Sequence, residues 1–145
     1  MRPRGALAAW TYGFGQLYGF AGAQEMYEQF HSGTLGPFWA SGRELVDREY
    51  AGIEPGPQHF GEVRRLQLPM PSHLTLDQLV GQLRSWSAYL AYLRAHPAAP
   101  DPVDTFRRQS AQRMAAEGGR DLELRRSITL LVALRPRPLR GVTMG

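Results

Sequence analysis

Ala6-Leu7-Ala8-Ala9-Trp10-Thr11-Tyr12-Gly13 is a mostly apolar run that breaks at Thr11-Tyr12-Gly13, and the turn Pro3-Arg4-Gly5 leads into it. A run of this length with glycine at both ends favours a short buried strand over a helical turn. Its counterpart is Ser127 to Leu134 (SITLLVAL), β-branched and apolar, which reads as a central or near-central strand. Most of the remaining signal between them is helical. Thr75 and Gln78 form a capping-box pattern, and Leu76, Leu79, Val80, Leu83, Trp86, Leu90 and Leu93 follow at helical intervals up to His96. Asp101 and Pro102 suit the N-cap and first position of a further helix, Val103 to Glu117, which Gly118-Gly119 stops.

The shorter signals fill the gaps. Phe14 to Gly22 is rich in glycine and aromatics and reads as a loop or helix lead-in, before a helix over Ala23 to Phe30. Ser41 can cap a short helix through Tyr50 with Leu45 and Val46 on its buried side. Phe60 to Met70 alternates in part and reads as a strand ending at Pro69 and Pro71. The order is strand, helix, short helix, strand, long helix, helix, strand. This is α/β material with about three strands.

Length and composition narrow the function. The 145 residues set one domain, and 43% hydrophobic with 21% charged residues is ordinary for a globular chain. Cysteine is absent, which excludes disulfides, thiolate metal sites and a cysteine nucleophile. The longest apolar runs fall far short of a membrane span of roughly 18 residues. The chain is read as cytoplasmic. Its formal charge is +4 and its non-histidine cations are all arginine, scattered along the chain and dense only in the tail Arg135 to Arg140. A nucleic-acid surface gathers them on one face with aromatics between, so nucleic acid is not the expected partner. The four histidines show no metal-ligand spacing, and no Gly-x-Ser-x-Gly elbow is present.

Four stretches together resemble one family. Met1 to Gly13 is similar to the turn and fifth strand of class I S-adenosylmethionine-dependent methyltransferases, and most of all to the trans-aconitate methyltransferase-like, type 11 branch. Leu35-Gly36-Pro37-Phe38-Trp39, followed by Arg43 to Tyr50, resembles that branch's segment after the fifth strand. Leu76 to Ser87 resembles its long helix with a Thr-Trp-Ser signature, Ser85 standing for the threonine, and Ser127 to Arg135 resembles its closing strand. The resemblance implies a partial Rossmann-like fold whose N-terminal half of the sheet is absent. It makes residues 1–135 the C-terminal, acceptor-side part of a methyltransferase domain and 136–145 an arginine- and proline-rich tail.

The departures bear on the cofactor. Such a fold binds S-adenosylmethionine on a glycine-rich turn after its first strand. No Gly-x-Gly-x-Gly turn occurs at a strand–helix junction here, and the cluster Gly13 to Gly22 lies after the fifth-strand match. Arg4 stands where the family has glycine. The expectation is a fragment lacking roughly 100–150 residues of a full domain, inactive and not binding the cofactor by itself.

By resemblance, the acceptor pocket draws on Trp10, Tyr12, Trp39, Arg43, Tyr50, Trp86 and Ser87. Arg43 suits a carboxylate acceptor, which it can hold with two parallel hydrogen bonds. Packing competes with each of these roles: Trp86 lies on an apolar stripe, Trp10 and Tyr12 end a buried strand, and Arg43 can pair with Asp47. The alternative function is a non-catalytic module that binds a partner through the sheet edge left open, an edge that is also an aggregation risk.

Overall fold

The computed structural model describes residues 5–119 and 121–137. Two compact units divide them. One comprises residues 44–70 with the chain up to Phe14 and from Arg126 onward; the other comprises residues 15–43 and 71–125.

In the first unit, β1 (Ala6–Tyr12) pairs antiparallel with β4 (Leu122–Pro136), in a register running from Ala6 opposite Leu134 to Tyr12 opposite Ile128. The opening run is thus a strand with the bounds its sequence predicts. β4 also pairs with β3 (Phe60–Leu74), and Gln67 Nε2 reaches Thr129 Oγ1 at 3.5 Å. Thr11, Phe60, Thr129, Leu131 and Ala133 are buried here. β3 continues past Pro69 and Pro71, where it was expected to stop. Its one strand partner among the described residues is β4, and on an edge strand a proline costs no ladder bond when its missing N–H would face outward. The short helix α2 (Arg43–Asp47) closes with Glu49 N–H donating to Val46 O at 2.9 Å and Tyr50 N–H to Leu45 O at 2.8 Å. This is a Schellman-type end, and it puts Glu49 and Tyr50 in left-handed backbone at φ 54° and 60°. Leu45, expected on a buried side, is 41% exposed.

In the second unit, β2 (Gln16–Tyr18) pairs with the start of β4, Gln16 opposite Arg125 and Tyr18 opposite Glu123. β2 is a fourth strand beyond the three expected, too short and too hemmed by glycine to show a period. Around it lie α1 (Ala23–Glu28), a π-helical turn (Gln29–Thr34), a 3₁₀ turn (Gly36–Phe38), α3 (Leu76–Arg84), α4 (Ser87–Ala95) and α5 (Pro102–Ala116). Leu17, Tyr27, Leu35, Leu79, Leu83, Val103, Leu122 and Leu124 form the core, each essentially fully buried. Thr75 and Gln78 make both bonds of the capping box, and Asp101 accepts from Val103 N–H at 2.8 Å as the cap of α5.

The long helix expected from Leu76 to His96 is broken. Ser85 Oγ donates to Gln82 O at 2.6 Å, and Trp86 takes an extended conformation at ψ 133°. A serine that bonds the preceding turn competes with the helical ladder. The break resets the phase, so α4 buries Ala88 and Tyr89 while Leu90 is 44% exposed.

Candidate functional site

The residues singled out for acceptor binding divide between the two units. Trp10, Tyr12 and Tyr50 are in the first; Trp39, Arg43, Trp86 and Ser87 are in the second.

In the second unit a group of rings builds up from the π-helical turn. There Leu35 N–H donates to Phe30 O at 3.1 Å, five residues back, and the extra residue turns both Phe30 and His31 into buried positions. The His31 ring lies 4.9 Å from Trp39 and meets Trp86 edge-on at 5.6 Å. Trp39 and Trp86 are 5.5 Å apart, and Trp86 is 6.0 Å from both Tyr27 and Phe30. Trp39 Nε1–H donates to His31 O at 3.0 Å, and His31 Nδ1 lies 3.0 Å from Ser32 Oγ. The Arg43 guanidinium sits 4.7 Å from the centre of the Trp39 ring, a cation–π contact. The structure therefore brings Trp39, Arg43 and Trp86 together around a histidine to which the sequence assigned no role. The signal for His31 is faint: it lies one residue past the helical spacing of Met26, Tyr27 and Phe30. Ser87 opens α4 and is exposed.

In the first unit, Trp10 and Tyr12 share a face of β1 and are 64% and 48% exposed. The Arg126 guanidinium lies 5.1 Å from the Tyr12 ring. Tyr50 O–H donates to Trp10 O at 3.4 Å. The left-handed pair that carries Tyr50 is pinned from β3. Arg65 Nη1 donates to Glu49 O at 2.6 Å and also pairs with the Glu54 carboxylate, and Gln67 Nε2 donates to Glu49 Oε2 at 2.5 Å. The Arg65 bond holds the Glu54 carboxyl below the ordinary glutamate range. Two successive non-glycine residues at positive φ persist only where their surroundings fix them.

The second unit also holds an open cleft of about 510 Å³ between α1, the π-helical turn, α4 and α5. Phe30 and Phe106, with rings 5.5 Å apart, belong to its wall, and none of the seven expected acceptor residues lines it. Next to it, Tyr89 O–H donates to Asp101 Oδ2 at 2.7 Å, and burial first, then this bond, raises the phenol's pKa.

Two of the glycines between β1 and α1 serve the chain's own packing and capping. Gly19, at φ 141°, packs so close to Leu122 that a Cβ would stand 2.6 Å from its Cδ2, and Gly22 is the left-handed N-cap of α1. No cluster of three or more His, Asp or Glu that could hold a metal occurs among the described residues, nor any helix long and apolar enough to cross a membrane.

The chain is similar to a solved structure of a candidate type II methyltransferase from Anaeromyxobacter dehalogenans. The match covers 89% of this chain and 52% of that one, at a TM-score of 0.66 and 24% identity. The two share a fold. A Dictyostelium discoideum protein, named as a candidate methyltransferase, is 30% identical over 96 residues, which are 66% of this chain and 35% of that protein. The chain thus spans about a third of this curated relative and about half of the solved structure. No protein-family model matches it.

Proposed function

We propose that this chain is the acceptor-side part of an S-adenosylmethionine-dependent methyltransferase acting on a small molecule, a carboxylic acid being the favoured acceptor, and that it is inactive alone. The observation that carries the reading is the backbone match over 89% of the chain to half of a structure described as a methyltransferase. The 30% identity to a second protein described in the same way supports it independently. In this reading residues 1–135 are the acceptor-side part, which belongs to the type 11 branch, and the chain works in the cytoplasm. The sequence of the tail, 136–145, lies almost wholly outside the described residues.

Acceptor contact falls to Trp10, Tyr12 and Tyr50 at the end of β1, and to Trp39, Arg43, Trp86 and Ser87 in the second unit. In methyl transfer such side chains act by positioning, holding the acceptor oxygen in line with the methyl group. In this reading the cofactor is bound by the remaining half of the fold. Arginines bonded to carboxylates support a reading without nucleic acid: Arg84 to Asp104, Arg107 to Asp77 and Arg125 to Glu123, at 2.6, 2.7 and 2.8 Å.

The test is a chimera in which the part of the Anaeromyxobacter protein outside the match is joined to this chain. Radiolabelled S-adenosylmethionine and a panel of small carboxylic acids are supplied to the chimera and to the chain alone. Transfer by the chimera only is expected. Transfer by the chain alone would refute the division of labour. A chimera that binds the cofactor but labels only non-acid acceptors would refute the acceptor class.

A second reading rests on a separate observation. β1 has β4 as its one strand partner among the described residues, and Leu7, Trp10, Tyr12, Leu66 and Leu68 of the same unit are 39–64% exposed. An open strand edge with apolar neighbours is a template for another chain, as a partner-binding module requires.

A further inference from the structure

We propose that the cleft between α1 and α5 binds a free amino acid with an apolar, preferably aromatic, side chain. This inference is independent of the methyltransferase reading, and none of the residues assigned to the acceptor takes part in it.

The floor of the cleft is apolar. Phe30 and Phe106 are buried with their rings 5.5 Å apart, and Met26 and Tyr92 extend the wall. Its volume of about 510 Å³ lies within the ordinary range of small-molecule sites. The lip carries both signs of charge, because Glu25 from α1 and Arg113 from α5 both line it. Neither forms an ion pair among the described residues. The bond Arg113 makes is a long one, Nη1–H to Ala21 O at 3.4 Å. The two charges lie near one another beside Gly22: a Cβ there would stand 2.5 Å from Arg113 Nη1 and 4.0 Å from Glu25 Oε2. Gly22, at φ 80°, has the backbone that favours glycine, and its lack of a Cβ leaves the Arg113 guanidinium its place beside Glu25.

A carboxylate and an ammonium close together, with an apolar group beside them, complement this arrangement. The carboxylate would meet Arg113, the ammonium Glu25, and the side chain the two phenylalanines. A ligand with one charge satisfies one side of the lip and leaves the other side's hydration disturbed. Specificity for the zwitterion follows from that difference.

The full chain is titrated by calorimetry with L-phenylalanine, phenylacetate and phenethylamine. L-Phenylalanine is expected to bind saturably and at least about tenfold more tightly than either analogue, since each lost charge-assisted bond carries an effect of that order. Arg113→Gln should erase its advantage over phenethylamine, and Glu25→Gln its advantage over phenylacetate. Both residues are polar lip residues outside the core, and a thermal melt of each variant confirms folding. Equal affinity for all three compounds, no saturable binding of L-phenylalanine, or folded variants that keep the full preference would each overturn the proposal.

Discussion

Truncating Trp86 to alanine is expected to cost about 3 kcal/mol of stability, because its indole touches Tyr27, Phe30, His31 and Trp39 and its loss would leave a void among them. Trp10→Ala should change stability by no more than about 0.5 kcal/mol, since that ring is 64% exposed. Urea denaturation of the two variants checks both. Equal losses would mean that β1 is covered by something these contacts do not include. The same pair shows how far single residues were legible. The apolar stripe placed Trp86 among packed side chains, and it is there. Trp10 looked like the end of a buried strand, yet its face of β1 is open. A strand's period tells which residues share a face but not whether anything covers that face. His31 was barely legible. Its burial depends on the extra residue of the π-helical turn, which a 3.6-residue period cannot register.

Among elements, the joint between α4 and α5 carries a pH response. Tyr89 donates to Asp101, which also caps α5, and burial together with this bond raises the phenol above its ordinary value of 10.0. A phenol held neutral in the fold contributes stability that is complete below the unfolded pKa. That contribution is lost as pH rises from about 10 through the higher folded value. Melting temperature should therefore drop above pH 10, and Tyr89→Phe should flatten that part of the profile; an unchanged alkaline profile in the variant would refute the coupling. Caps were the most legible elements, because Thr75, Gln78, Asp101 and Pro102 act within one turn of themselves. Breaks were less so. The interruption at Ser85 and Trp86 leaves the apolar pattern almost continuous, and it shows only in the backbone. β2 and the first part of β4 hid for a different reason. Glu123 and Arg125 are paired with each other at 2.8 Å on the exposed side of a strand whose alternate residues, Leu122 and Leu124, are buried.

For the whole molecule, the α/β class and the central place of Ser127 to Leu134 were legible because β4 is apolar enough to be flanked on both sides. The open edge of β1 and the exposed Leu7, Trp10, Leu66 and Leu68 predict association that rises with protein concentration. Sedimentation velocity of the unchanged chain and of a Trp10→Lys, Leu68→Lys variant checks this. A monomer at every concentration in both would remove the partner-binding reading. In the proposed function the chain carries the acceptor side of a methyltransferase and leaves the cofactor to the rest of the fold. Calorimetric titration of S-adenosylmethionine into the folded chain tests it most directly. No heat beyond dilution is expected. Saturable binding would contradict it, by showing a cofactor site within these residues.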